Sequence, residues 1–136
     1  MNMNEKSKEE VLFTIANGRG YQIARSKGPS KWIIGGKFIV HLRFRSSPKA
    51  DGWTYAYNIN PNTLSADFEV WICGSSKIYY LIPMHVLEKI YNDPNTYVDY
   101  QHPEIRVIDI NTTTHSALYG SGGKRQDFTS YYCSTL

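Results

Sequence analysis

The stretch that most constrains this chain is Lys37-Phe38-Ile39-Val40-His41-Leu42-Arg43-Phe44-Arg45. Its alternation has an unbroken period of two, which is the period of a β-strand. Phe38, Val40, Leu42 and Phe44 share one face, and Lys37, Ile39, His41, Arg43 and Arg45 share the other. A helix would scatter the same residues around its circumference. The reading is therefore a strand with one core face and one basic face.

The other elements follow from similar patterns. Val11, Leu12, Ile15 and Ala16 recur at helical spacing within residues 5–16, and Asn17-Gly18 stops that helix. Residues 20–25 and 31–34 read as short strands separated by a Lys27-Gly28-Pro29-Ser30 turn, and Gly35-Gly36 makes a tight hairpin. Trp53-Thr54-Tyr55-Ala56-Tyr57 alternates again, with three aromatics on one face. A short turn or helix runs from Asn60-Pro61-Asn62 to near Ala66, and strands are expected at 68–73 and 78–82. Pro83 opens a helix with Val86, Leu87, Ile90 and Tyr91 buried, and Asp93-Pro94 ends it. A strand at 105–110, a Gly120–Lys124 loop and a last short helix at 126–133 complete the chain. No repeat or boundary divides it, so residues 1–136 read as one domain.

Charge is distributed unevenly. Residues 1–50 hold ten Lys/Arg and three Asp/Glu, a balance of +7, against five and nine in residues 51–136, a balance of −4. Arg19, Arg25, Lys27, Lys31, Lys37, Arg43, Arg45 and Lys49 follow one another with no acid between them. Such a stretch suits a polyanion partner; a solvated face neutralised by acids of the second half is the plainer alternative. The start, MNMNEKSKEE, is polar, and no apolar run is long enough for a membrane helix, so a cytoplasmic location is expected. Cys73 and Cys133 lack metal or redox spacing and read as free thiols.

Same-face residues on a strand stand roughly 7 Å apart, so His41, Arg43 and Arg45 are spaced to follow successive phosphates. Lys37 and Lys49 extend that basic set. Trp53 and Tyr55 suit stacking on unpaired bases, although aromatics on a strand more often pack a core. Asp67 and Glu69 form a same-face acidic pair. Gly120-Ser121-Gly122-Gly123-Lys124 lacks the spacing of a phosphate loop.

The order of these segments resembles the PD-(D/E)XK nuclease superfamily, the restriction-endonuclease-like and Holliday-resolvase-like fold. The likeness is carried by a helix with Glu9 and Glu10, then Gly20-Tyr21-Gln22-Ile23, Gly35-Gly36-Lys37, FIVHLRFRSS, SADFEVWICG and YYLIP before a helix. It covers roughly residues 5–92. The resemblance implies an α/β fold with a three-layer core, a mixed central sheet flanked by helices, and handling of nucleic acid, DNA in the first place. The family's (Asp/Glu)-x-Lys falls on His41-Leu42-Arg43, and its preceding Asp falls near Lys31 or Trp32. No carboxylate is present there to hold magnesium, a cation that wants oxygen ligands.

The expectation is a nucleic-acid-binding domain that has lost catalysis, contacting phosphates through Lys37, His41, Arg43, Arg45 and Lys49, with Trp53 and Tyr55 beside them. It has no confident catalytic residue, no metal and no cofactor. Two alternatives stand. One is an active magnesium-dependent endonuclease whose acids have moved to Glu10, Asp67 and Glu69. The other is a regulatory or inhibitory module that binds a protein partner or a second copy of itself.

Overall fold

The computed structural model describes residues 2–17, 22–26 and 30–136. Gly18, Arg19, Gly20, Tyr21, Lys27, Gly28 and Pro29, which carry part of the expected helix stop, first strand and turn, lie outside the described residues. The fold is mixed α/β. Helix α1 (Met3–Ala16) is capped by the Asn2 side chain, which accepts from the Glu5 N–H, and ends on Asn17 in the left-handed conformation. Strands β1 (Ile23–Arg25), β2 (Lys31–Ile34), β3 (Phe38–Arg45), β4 (Thr54–Ile59), β5 (Phe68–Cys73) and β6 (Tyr79–Pro83) follow, then α2 (Met84–Asn92), β7 (Arg106–Asn111), β8 (Ser116–Gly120) and β9 (Lys124–Asp127).

The strands form two sheets, β1-β2-β3-β5-β6 and β4-β7-β8-β9. Among the described residues all strand pairs are antiparallel except β3 and β5, which run parallel with His41 opposite Glu69 and Arg43 opposite Trp71. A parallel pair needs a crossover. Here β4 and a 3₁₀ turn at Pro61–Thr63 supply it, and β4 belongs to the second sheet. Gly35 and Gly36 both take positive φ in the β2–β3 connection, as the hairpin demands. Gly74 has φ +82, and a Cβ there would lie 2.9 Å from the Tyr55 hydroxyl, so the turn before β6 and β4 fit together only around glycine.

One core lies between α1 and the first sheet, built from Val11, Leu12, Ile15, Val40, Leu42, Val70 and Ile72. The alternation of β3 places Val40 and Leu42 there, as read. The opposite face of β3 is not a bare basic surface. The second sheet and α2 cover that side of the first sheet, and Tyr57, Ile59, Trp71, Tyr80, Leu87, Ile108 and Ile110 make a second core. Tyr57 stacks on Trp71 at 4.7 Å and donates its hydroxyl to the Ile72 carbonyl. Burial pushes the Cys73 thiol beside it up to about 12. Periodicity tells which side chains share a face, but not which later segment lies across it.

Residues 116–120, for which no element was read, form a strand, and within the expected helix at 126–133 only Thr129–Tyr131 is helical, as a 3₁₀ turn. Lys124-Arg125-Gln126-Asp127 has no apolar residue, yet it becomes β9 by pairing with β8. Tertiary pairing overrides local propensity there.

Candidate nucleic-acid interface

The basic face of β3 is organised around one buried acid. Glu69 is fully buried on β5, directly opposite His41. Its Oε1 accepts from Arg43 Nε at 2.8 Å and from Trp71 Nε1 at 3.0 Å. Its Oε2 lies 3.2 Å from Thr63 Oγ1, whose single proton is shared with the Asn60 carbonyl at 2.8 Å. His41 Nδ1 stands 3.9 Å from Oε1 and has no hydrogen-bond partner among the described residues. A buried carboxylate needs such neutralisation, because an uncompensated charge there is strongly destabilising. Arg43 is therefore committed to Glu69, and the absence of an acid near it in sequence is made good by one across the sheet.

Arg45 is exposed and donates its Nε to the Ala56 carbonyl of β4 at 2.8 Å. The pairing of β2 with β3 runs only from Lys31 opposite His41 to Ile34 opposite Phe38. Beyond it, β3 and β4 flank a cleft of about 230 Å³ lined by Arg43, Phe44, Arg45, Ala56, Tyr57 and Asn58. Each guanidinium is fixed through Nε, and the terminal Nη groups make no hydrogen bond among the described residues. Arg is well shaped for this use, since its remaining donors lie in a rigid fork. On the α1 side, burial and the charges of Arg25 and Arg43 hold the Lys8 ammonium below its usual range, against the pull of Glu5. Arg25 itself stacks on Trp32 at 4.6 Å.

The other expected residues are dispersed. Lys37 is exposed with its ammonium over the Phe38 ring, and Lys49 pairs with Asp109 Oδ2 at 2.6 Å. Trp53 precedes β4 and is 47% exposed. Tyr55 is buried in the second core, so it is corrected from a stacking platform to a packing residue. The three acids do not converge. Glu10 on α1 accepts from Ser76 Oγ, while Asp67 clamps the start of β3 by accepting the Ile39 N–H at 2.8 Å. Glu69 lies between the sheets. Among the described residues, no group of three His, Cys, Asp or Glu is arranged to hold a metal.

Sequence reading missed Glu69 as the counter-ion of Arg43. A signal was available: an acid inside the apolar run Phe68-Glu-Val-Trp-Ile-Cys73 needs a partner wherever its face of the strand is covered. No helix of the described residues is long and apolar enough to cross a membrane. Comparison with family models, curated proteins and solved structures found no match.

Proposed function

We propose that this chain binds the phosphate backbone of nucleic acid, DNA foremost, through the cleft between β3 and β4, and does not cleave it. The observation that carries the reading is the pair of arginines in that cleft, each anchored by Nε with its outer donors uncommitted among the described residues. Phosphate oxygens match such forks bidentately. Lys8 and Arg25 add positive charge beyond Arg43. We also propose a PD-(D/E)XK-like core. The mixed five-stranded sheet with α1 on one face supports it, as does the position of His41-Leu42-Arg43 on β3, within the parallel pair with β5. In that reading the Arg43–Glu69 pair occupies the place of a metal site.

The test is binding to duplex and single-stranded DNA over a range of salt. Arg45→Glu should weaken binding to all sequences alike, because phosphate contacts position rather than specify. The log–log salt slope should shrink by about 0.9 for each duplex phosphate that the variant no longer neutralises. Absence of salt-sensitive binding by the wild-type chain would overturn the proposal. It would favour a protein-binding module, for which Tyr97, Val98 and Tyr100, exposed together before β7, offer the apolar surface. Magnesium-dependent cleavage abolished by Asp67→Ala would instead restore the nuclease alternative.

A further inference from the structure

The outer face of the second sheet carries a polar cavity that the nucleic-acid reading does not use. It measures about 330 Å³, near the lower end for small-molecule sites. Register defines its plan. Thr54, Asn111 and Ser116 lie side by side across β4, β7 and β8, and the next row is Ala56, Asp109, Leu118 and Arg125. Leu118, half-buried, forms an apolar floor between the Asp109 carboxylate and the Arg125 guanidinium.

The hydrogen-bond capacity of this cavity is unevenly spent. Asp51 is consumed by the Trp53 and Thr54 N–H groups and the Thr54 hydroxyl, and Asn111 Oδ1 by the Thr113 and Thr114 N–H groups. Asp109 Oδ2 takes Lys49 Nζ. Asp109 Oδ1 is buried and has no donor among the described residues. Asn111 Nδ2 and the Arg125 guanidinium have no acceptor there either, which leaves one orphan acceptor beside several idle donors. Orphaned buried carboxylate oxygens are uncommon, and each calls for a partner. Oδ1 is closed to solvent by its neighbours. Lys49, half exposed on a flexible four-carbon stem, holds only Oδ2, and it is the neighbour that has to yield for a donor to reach Oδ1.

We propose that this cavity takes a single unpaired nucleobase bearing an exocyclic amino group. The ring lies on Leu118, its amino N–H donates to Asp109 Oδ1, and its carbonyl or ring nitrogen accepts from Arg125 or Asn111. Carboxylates read the cytosine amino group in this way. The inference rests on the proposed nucleic-acid reading for the route of the strand. The Ala56 carbonyl holds Arg45 at the cleft, and Thr54, one same-face step of roughly 7 Å along β4, lines the cavity. A base attached to a phosphate at Arg45 falls within reach of it.

The experiment measures wild-type binding to short homopolymers of deoxycytidine and deoxyuridine, which differ at the 4-amino and 4-oxo groups. Wild type should prefer the deoxycytidine polymer by roughly tenfold. In Asp109→Asn, Lys49 retains the amide oxygen, so the NH₂ replaces the free acceptor by a donor. That variant should lose or reverse the preference with the salt slope unchanged. Leu118→Lys fills the floor and should erase the preference as a second variant. Arg45→Glu should weaken both polymers equally and keep it. Equal wild-type affinities, or a preference that survives Asp109→Asn, would overturn the inference and leave the backbone reading intact. If neither polymer binds, cytidine and uridine monophosphates are titrated with the Asp109 and Leu118 amide signals followed. A response to cytidine monophosphate alone upholds the cavity as a free-nucleotide site, and no response to either removes it.

Discussion

Glu69 and Asp109 occupy similar settings in sequence and opposite ones in the fold. Each is an acid set among apolar residues of a strand, in Phe-Glu-Val-Trp-Ile-Cys and Arg-Val-Ile-Asp-Ile-Asn. Glu69 points between the two sheets, is fully buried, and has donors on both oxygens. Asp109 points to the outer face, with one oxygen on Lys49 and the other on nothing among the described residues. A carboxylate whose acceptors are all filled by its own chain holds the fold together. One that is half filled beside a cavity is available to something else. The difference also separates Arg43 from Arg45: Arg43 carries a structural duty to Glu69, whereas Arg45 spends only Nε on a backbone carbonyl.

The largest effect expected from this contrast is on stability at Arg43. Arg43→Ala leaves Glu69 buried beside Trp71 and Thr63 with its principal counter-charge gone. The loss should be about 3–5 kcal/mol, read as a fall in the urea midpoint. Adding Glu69→Gln to that variant should recover part of the loss, since the uncompensated charge is then removed. Additive losses in the double variant would mean that the pair is not a coupled unit. This is also why charge reversal at Arg43 is a poor probe of binding: it would set two carboxylates against each other in the core.

A smaller effect is expected at Thr63. Thr63→Val removes the hydroxyl that Glu69 Oε2 and the Asn60 carbonyl share. The cost should be about 1–2 kcal/mol, the scale for leaving a buried acceptor short of a donor. Urea unfolding again measures it. A cost equal to that of Arg43→Ala would mean that the 3₁₀ turn, not the guanidinium, chiefly satisfies the acid.

Much of this was legible before the fold was known. The period of two in β3 puts Val40 and Leu42 in a core, the paired glycines mark the hairpin, and the apolar stripe on α2 buries Val86, Leu87 and Ile90. The candidate site was legible only in its residue types. That Arg43 meets Glu69 depends on β3 and β5 being parallel neighbours, a pairing 26 residues apart in sequence. That Tyr55 turns inward while Trp53 stays out depends on where β4 joins the second sheet. The cavity around Asp109 was not legible, because it is assembled from two loops and four strands, and one of those strands, β9, has no strand signal of its own.

The smallest expected effect completes the comparison. Asp109→Asn should change stability by less than about 1 kcal/mol, because the Lys49–Asp109 pair is partly exposed and such pairs contribute little. The amide oxygen can still accept from Lys49, and the oxygen removed had no donor among the described residues. Glu69→Gln, made alone, keeps one oxygen for Arg43 and Trp71 but leaves the guanidinium without its counter-charge and turns an NH₂ toward Thr63. It should therefore shift the urea midpoint clearly more than Asp109→Asn does. Equal shifts would collapse the distinction between a filled acid and a half-filled one. A stabilisation on Asp109→Asn would strengthen it, since a chain that keeps a carboxylate at the expense of its own stability is one in which that carboxylate serves a ligand.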